Sequence, residues 1–523
     1  MLDIIIKNAE IIDGSGKPRF KADVAVLNGK IVNIAANLEH ETKLTIDAQG
    51  LILSPGFIDP HTHSDISLFR FPKAESRIYQ GVTTEVTGNC GYAPAPIYGA
   101  AVKEVKTDAQ LFGVDITWNS MAEYLEALGQ NGHAVNIVPL IGHNTIRGSV
   151  LGYGDVKPDE KQMKAMESLI TAAMEEGARG MSSGIYYPPG CYAENEEIIR
   201  LAKVVAKFDG IYATHVRSET DKVIESAIEA FQVGLQAGIK VQYSHIKIEG
   251  YRNWHLIDDF MKLLDGDLAG DISLLCDKYP YLASSTNLFT MMPYWAQADG
   301  GATIAARVMD SSTRNKLRED WKSNQIEWDN RSGVRDWEDI LITGCHSHPE
   351  YEGQNVMEIA ANLSQDPLET TLDLIGLDDA AVSAVFFTQN KENHLRLIQH
   401  PLVAAGSDGA SLANVEGKSH PRSFGTFARY IRRYVREEEL FSLEECVHRM
   451  TCMPAAHFNL TGRGVITENA WADLVLFDAE KITDTATFTD PHQYAKGVEY
   501  VLVNGEVVLE KGEHNGKLAG RIL

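Results

Sequence analysis

Seven side chains of the kind that bind metals or move protons stand directly after apolar, β-rich runs in this chain: His61, His63, Cys90, His143, His215, His245 and Asp408. Helical patterning fills much of the space between those runs, at about 159–176, 195–208 and 221–237. Strands that alternate with helices favour a parallel sheet with helices outside it. In a (β/α)8 TIM-like barrel, functional groups collect at the C-terminal ends of the strands. The expected fold class is therefore α/β, with a barrel over residues 54–462.

The stretch P-G-F-I-D-P-H-T-H-S-D at 55–65 carries the first two histidines. In an extended chain, residues two apart point to the same side. His61 and His63 thus converge on one point, which suits a borderline-soft cation such as zinc. A bare His-x-His also fits a turn with two polar residues. The recurrence of strand-end histidines at I-Y-A-T-H (211–215) and V-Q-Y-S-H (241–245) favours the metal. Asp408 sits in G-S-D-G, where small neighbours let a carboxylate approach a crowded centre and exchange protons there.

The two ends of the chain read differently. Residues 1–53 contain short strands with a hairpin signal at Asn28-Gly29, and residues 463–523 repeat the pattern with Asn504-Gly505. One small β-sandwich domain built from both termini is expected, because separate halves would leave long sheet edges exposed. Residues 287–344 interrupt the alternation and are expected to form an insertion at the rim, as a lid, a pocket wall or a peripheral decoration.

Composition excludes some functions. The formal net charge of −24 argues against nucleic acid as a partner, since such affinity rests on Lys and Arg neutralising phosphates. No apolar run approaches the roughly 20 residues of a membrane span. The first residues read as a strand rather than a secretion signal, and the six cysteines are scattered with no C-x-x-C pair, so a cytoplasmic protein with reduced thiols is expected.

These motifs resemble the amidohydrolase superfamily, and within it the N-acyl-D-amino-acid deacylases, also called D-aminoacylases. The resemblance spans the whole chain. Broad signals are P-G-F-I-D-P-H-T-H, the two later histidines and G-S-D-G. More specific ones are G-N-C-G at 88–91, G-H-N-T-I-R at 142–147, S-S-G-I-Y-Y-P-P-G at 182–190, T-H-V-R-S-E at 214–219, D-K-Y-P-Y at 277–281 and H-P-R-S-F-G-T-F at 420–427. The resemblance implies zinc-dependent hydrolysis of a small-molecule N-acyl-D-amino acid to a carboxylate and a free D-amino acid. It implies that Cys90, His215 and His245 hold a tighter zinc, that His61, His63 and Asp408 surround a weaker or empty second position, and that Asp408 is the catalytic acid–base. It implies a pocket for the α-carboxylate from Lys247, Tyr279, Ser285 and Arg422. His143 either contacts the acyl group or braces the rim.

Residues 178–184 read A-R-G-M-S-S-G, without the lysine that bridges two metals in many superfamily members. That absence disfavours the alternative of a cyclic amide or imide hydrolase, of hydantoinase or dihydroorotase type. A non-catalytic binding protein on the same fold would be marked by loss of ligand residues, and all six are present. Met291, Met292, Tyr294 and Trp295, with no cation between Tyr279 and Arg307, suggest a neutral or apolar D-side chain, unless Arg252 or Arg335 reaches the pocket.

Overall fold

The computed structural model describes residues 1–322, 336–413 and 417–523. The two termini join in one sheet. Leu2–Ile11, Phe20–Leu27 and Lys30–Ala35 pair antiparallel in succession. The turn Asn28-Gly29 has φ of 52° and 77°, the left-handed pair that a tight hairpin with the native strand twist needs. Ile52–Pro55 lies parallel to Leu2–Ile11 and antiparallel to Leu474–Phe477. From there the sheet continues through Val498–Val503, Glu506–Glu510 and Glu513–His514. Thr42–Asp47 adds a parallel partner to the first strand. The strands expected as a sandwich are therefore hydrogen-bonded as one nine-stranded sheet.

Strand alternation ties this sheet to the rest of the molecule. Leu474, Leu476 and Leu502 pack with Ile4, Ile6, Val24 and Val26. Val475, Phe477, Val501 and Val503, pointing the other way, belong to the main core. The chain end leaves the sheet, and the Ile137 amide donates to the Arg521 carbonyl in the middle of the molecule.

Eight parallel segments follow one another across that middle. Phe57–Asp59 pairs with Val82–Thr87, which pairs with Asn136–Pro139. The same run resumes at Ile141–Gly142 and continues through Gly180–Gly184, Ile211–His215, Lys240–Tyr243, Leu274–Lys278 and Val403–Ala405. A parallel bridge between Thr62 and Gly409 then returns the last segment to the first. The helices between them begin where the side chains cap them. Ser120 and Glu123 form a capping box on Met121–Asn131, and Asp159 with Gln162 does the same for Glu160–Glu175. No helix among the described residues is long and apolar enough to cross a membrane.

The insertion is larger than the sequence suggests. Ser284–Asn287 and Ile340–Gly344 both pair antiparallel with Ser383–Phe386, so the unit extends to 386 rather than 344. It has its own core, which includes Leu288, Met291, Ile304, Ile342, Ile359, Leu372 and Phe386.

Candidate active site

The parallel segments deliver the strand-end residues to one place. Ligand atoms of His61, Cys90, His245 and Asp408 lie within 4.8 Å of one another, and so do those of His215, Glu219 and His245. Cys90 Sγ is 3.3 Å from His61 Nε2 and 3.5 Å from His245 Nε2. Asp408 Oδ1 is 3.0 Å from His63 Nε2 and 3.4 Å from His61 Nε2. Cys90, His245 and Asp408 have φ of 53°, 37° and 50°. Left-handed backbone costs a non-glycine residue about 1–2 kcal/mol, so the fold bears strain at three of the converging positions. Gly184 makes room beside them, because a Cβ there would sit 2.0 Å from the Cys90 carbonyl oxygen.

Two carboxylates orient the histidines from behind. Asp277, fully buried, accepts from His61 Nδ1 at 3.1 Å, from the His245 amide at 2.9 Å and from Gln242 Nε2 at 2.7 Å. Glu219 Oε1 lies 3.0 Å from His245 Nδ1 and 2.5 Å from Lys247 Nζ. With Nδ1 of each ring engaged, Nε2 faces the centre. His215 is buried, with no hydrogen-bond partner on either ring nitrogen among the described residues and with Glu219 Oε2 3.8 Å from its Nε2.

Electrostatics sharpens the picture. Burial would raise the Cys90 thiol, but the His61 and His245 rings outweigh it and hold the thiol well below its ordinary value. Burial also opposes charge on Asp408, and Arg422, His61 and His245 overcome it, keeping that carboxyl well below the usual range. Glu219 is lowered in the same way, with Lys247, His215 and His245 prevailing over burial.

The residues expected around an α-carboxylate divide. Lys247, Ser285 and Arg422 line a cavity of about 440 Å³ that also reaches His63, Cys90, His215, His245 and Asp408. Lys247 is buried against Glu219. Arg422 Nη1 donates to Asp408 Oδ2 at 2.7 Å inside the protein. Tyr279 is different. It does not line the cavity, and its hydroxyl accepts from Gln389 Nε2 at 3.0 Å. Its ring lies under the cations, 5.8 Å from Lys247 Nζ and 5.3 Å from the Arg422 guanidinium carbon.

His143 also stands away from the cavity. It opens the helix His143–Leu151, and its Nε2 lies 2.9 Å from Glu197 Oε1, while Arg147 Nη1 donates to Glu197 Oε2 at 2.6 Å. Of its two expected roles, bracing the rim is the one this geometry fits. The apolar pocket suggested by Met291, Met292, Tyr294 and Trp295 is not there. The methionines are buried in the core of the insertion, Trp295 donates to Asp320, and none of the four lines the cavity. Arg252 is exposed and bonded to Tyr251, and Arg335 lies outside the described residues. In the sequence, Asp277 and Glu219 are letters within the longer motifs D-K-Y-P-Y and T-H-V-R-S-E. An acid inside an otherwise apolar strand was the available signal for Asp277.

This geometry agrees with what the chain resembles. The model of the amidohydrolase family matches residues 44–509, and the chain belongs to that family. Over its full length it is 33% identical to the N-acyl-D-aspartate deacylase of Alcaligenes xylosoxydans xylosoxydans, covering 95% of that protein. It is equally 33% identical to the D-aminoacylase of the same organism, covering 97%. Among solved structures, the N-acyl-D-glutamate deacylase of Bordetella bronchiseptica, complexed with zinc and a phosphonate mimic of the tetrahedral intermediate, superposes with a TM-score of 0.85 at 31% identity, over 100% of this chain and 99% of that one.

Proposed function

We propose that this protein is a zinc-dependent hydrolase that cleaves N-acyl-D-amino acids to a carboxylate and a free D-amino acid. The observation that carries the reading is the convergence of a thiol, imidazoles and Asp408 inside a cavity that also presents Lys247 and Arg422. The eight parallel segments are read as a (β/α)8 barrel, a reading the Thr62–Gly409 bridge supports. Residues 1–53 with 463–523 are read as a second, small β domain. Six unpaired cysteines support a cytoplasmic location.

The donors fit zinc. A thiolate with imidazoles is a preferred zinc set, and the ring nitrogens of His215, without a hydrogen bond among the described residues, are the kind of buried polar group that a metal satisfies. Cys90, His215 and His245 would hold the tighter ion, and His61, His63 and Asp408 a weaker second one. When bound, zinc supplies a Lewis acid for the acyl carbonyl and lowers the pKa of water.

The chain's own groups supply the rest. Asp408, ionised beside Arg422, takes a proton from the attacking water and returns it to the nitrogen of the departing amino acid. His63 and Arg422 each hold one oxygen of that carboxylate. Lys247, Ser285 and Arg422 offer an ammonium, a hydroxyl and a guanidinium to the α-carboxylate. Tyr279 supports the two cations through its ring face. Anchoring the α-carboxylate fixes the chiral centre, so one enantiomer presents its acyl group to Asp408.

The test pairs N-acetyl-D- and N-acetyl-L-amino acids on zinc-loaded protein, with metal content measured on the same sample. D-selective release of free amino acid, lost in Asp408→Asn and Cys90→Ala, is the expected result. No turnover of any D-substrate by fully metallated protein overturns the reading.

A further inference from the structure

The charges lining the cavity are unequally matched. Its two deep cations are committed to carboxylates, Lys247 to Glu219 at 2.5 Å and Arg422 to Asp408 at 2.7 Å. The other carboxylates of the lining make no ion pair among the described residues, although Lys247 attracts Glu249 from nearby. Glu249, two residues beyond Lys247, lines the cavity, and its Oε1 is buried with no hydrogen-bond partner among the described residues. Glu104 and Asp108 stand one turn apart on one face of the helix Ala101–Gln110, and neither makes an ion pair among the described residues. The Glu104 carboxylate meets the insertion directly, since a Cβ on Gly300 would lie 2.8 Å from its Oε1. Asp379 adds a further carboxylate on the insertion side. The remaining lining cation, Lys103, is exposed.

We propose that this cavity selects N-acyl-D-amino acids whose side chain ends in a cation, of the D-lysine or D-arginine class, with Glu249 and the Glu104–Asp108 pair as the discriminating carboxylates. The inference rests on the deacylase reading above. A side-chain ammonium or guanidinium supplies the donor that Glu249 Oε1 lacks, and it favours the charged form of Asp108 and Glu249, carboxyls that burial pushes up. A substrate with a second carboxylate meets like charge along the same path, and both deep cations are then already shared between Glu219 or Asp408 and its α-carboxylate. Lengthening the side chain changes how far its charge travels between these groups, so the preference depends on the position of the charge and not only on its sign.

The experiment compares kcat/KM for N-acetyl-D-lysine and N-acetyl-D-arginine with the neutral near-isosteres N-acetyl-D-norleucine and N-acetyl-D-citrulline, and with N-acetyl-D-glutamate. Each cationic substrate is expected to exceed its isostere by tenfold or more, and the glutamate derivative to fall at least tenfold below norleucine. The cation-to-isostere ratio is expected to shrink as salt is added and to move toward one in Glu249→Gln and in Glu104→Gln/Asp108→Asn. The wild-type ratio and its salt dependence test the proposal even if a variant does not fold. Cationic substrates no better than their isosteres, or glutamate as fast as norleucine, overturn the proposal while leaving deacylation standing. Failure to hydrolyse any D-substrate overturns both.

Discussion

Replacing Asp277 with Asn separates the orientation of His61 from its presence. The Asp277 carboxylate accepts from His61 Nδ1, the His245 amide and Gln242 Nε2, all buried. Truncation to Ala would orphan three donors at about 1–3 kcal/mol each, enough to threaten a fold with only about 5–15 kcal/mol to lose. Asn keeps the volume and one oxygen. It loses the charge that strengthens these bonds, about 1 kcal/mol for each, so stability falls by about 2–3 kcal/mol. It also presents an NH2 group that can force His61 into the tautomer with its proton on Nε2, toward Cys90 and Asp408. Loss of such a supporting carboxylate typically costs about 10–100-fold in metal affinity or activity. We therefore expect Asp277→Asn to lower kcat/KM for an N-acetyl-D-amino acid by that factor, measured with zinc content and urea midpoint on the same preparation. A kcat/KM within about threefold of wild type, with unchanged zinc, would refute the idea that Asp277 sets the His61 tautomer.

Other expectations follow from groups nearby and far away. Arg77 is fully buried, with Nε 2.9 Å from Glu85 and Nη1 3.5 Å from Asp59, so Arg77→Met should cost about 3–5 kcal/mol in chemical denaturation, and adding Glu85→Gln should restore part of it. His457 is held down to about 3, against an ordinary 6.5, by burial and then by Lys240. As pH falls below 6.5 the unfolded chain binds the proton first, so stability declines toward pH 3, by about 2 kcal/mol at pH 5. His457→Phe should remove that part of the slope in urea midpoints taken at pH 7 and pH 5. Stripping the metal with a chelator should expose Cys90 to iodoacetamide, and zinc should protect it. Cys276 and Cys446, whose thiols burial pushes up, should stay unmodified by mass spectrometry in both states.

What was legible in the sequence was local. The histidines at 61, 63, 215 and 245 announce themselves because each ends an apolar run, and Asn28-Gly29 and Asn504-Gly505 mark their hairpins because few other pairs tolerate those turns. What was not legible depends on partners distant in sequence. Arg422 meets Asp408 from 14 residues away, Tyr279 meets Gln389 from over a hundred residues away, and His143 is held by Glu197 from a later helix. The insertion reads as ending near 344 because its local pattern breaks there. Its central strand, Ser383–Phe386, returns only after further helices, and no local period encodes that pairing. Met291 and Met292 look like pocket residues for the same reason, since their apolar character is equally that of a second core.

That second core has an evolutionary consequence. The insertion contributes Ser285, Phe289, Gly301 and Asp379 to the wall of the cavity, while every residue of the converging centre comes from outside it. A substitution that reshapes the wall is accommodated by neighbours within the insertion and leaves the strand ends undisturbed. The shape of that wall is thus free to drift while the centre, and the charges that Glu104, Asp108 and Glu249 bring from outside the insertion, stay in place. Such a division of labour suits a lineage whose members, at nearly equal distance from this chain, carry the names of different D-amino acids.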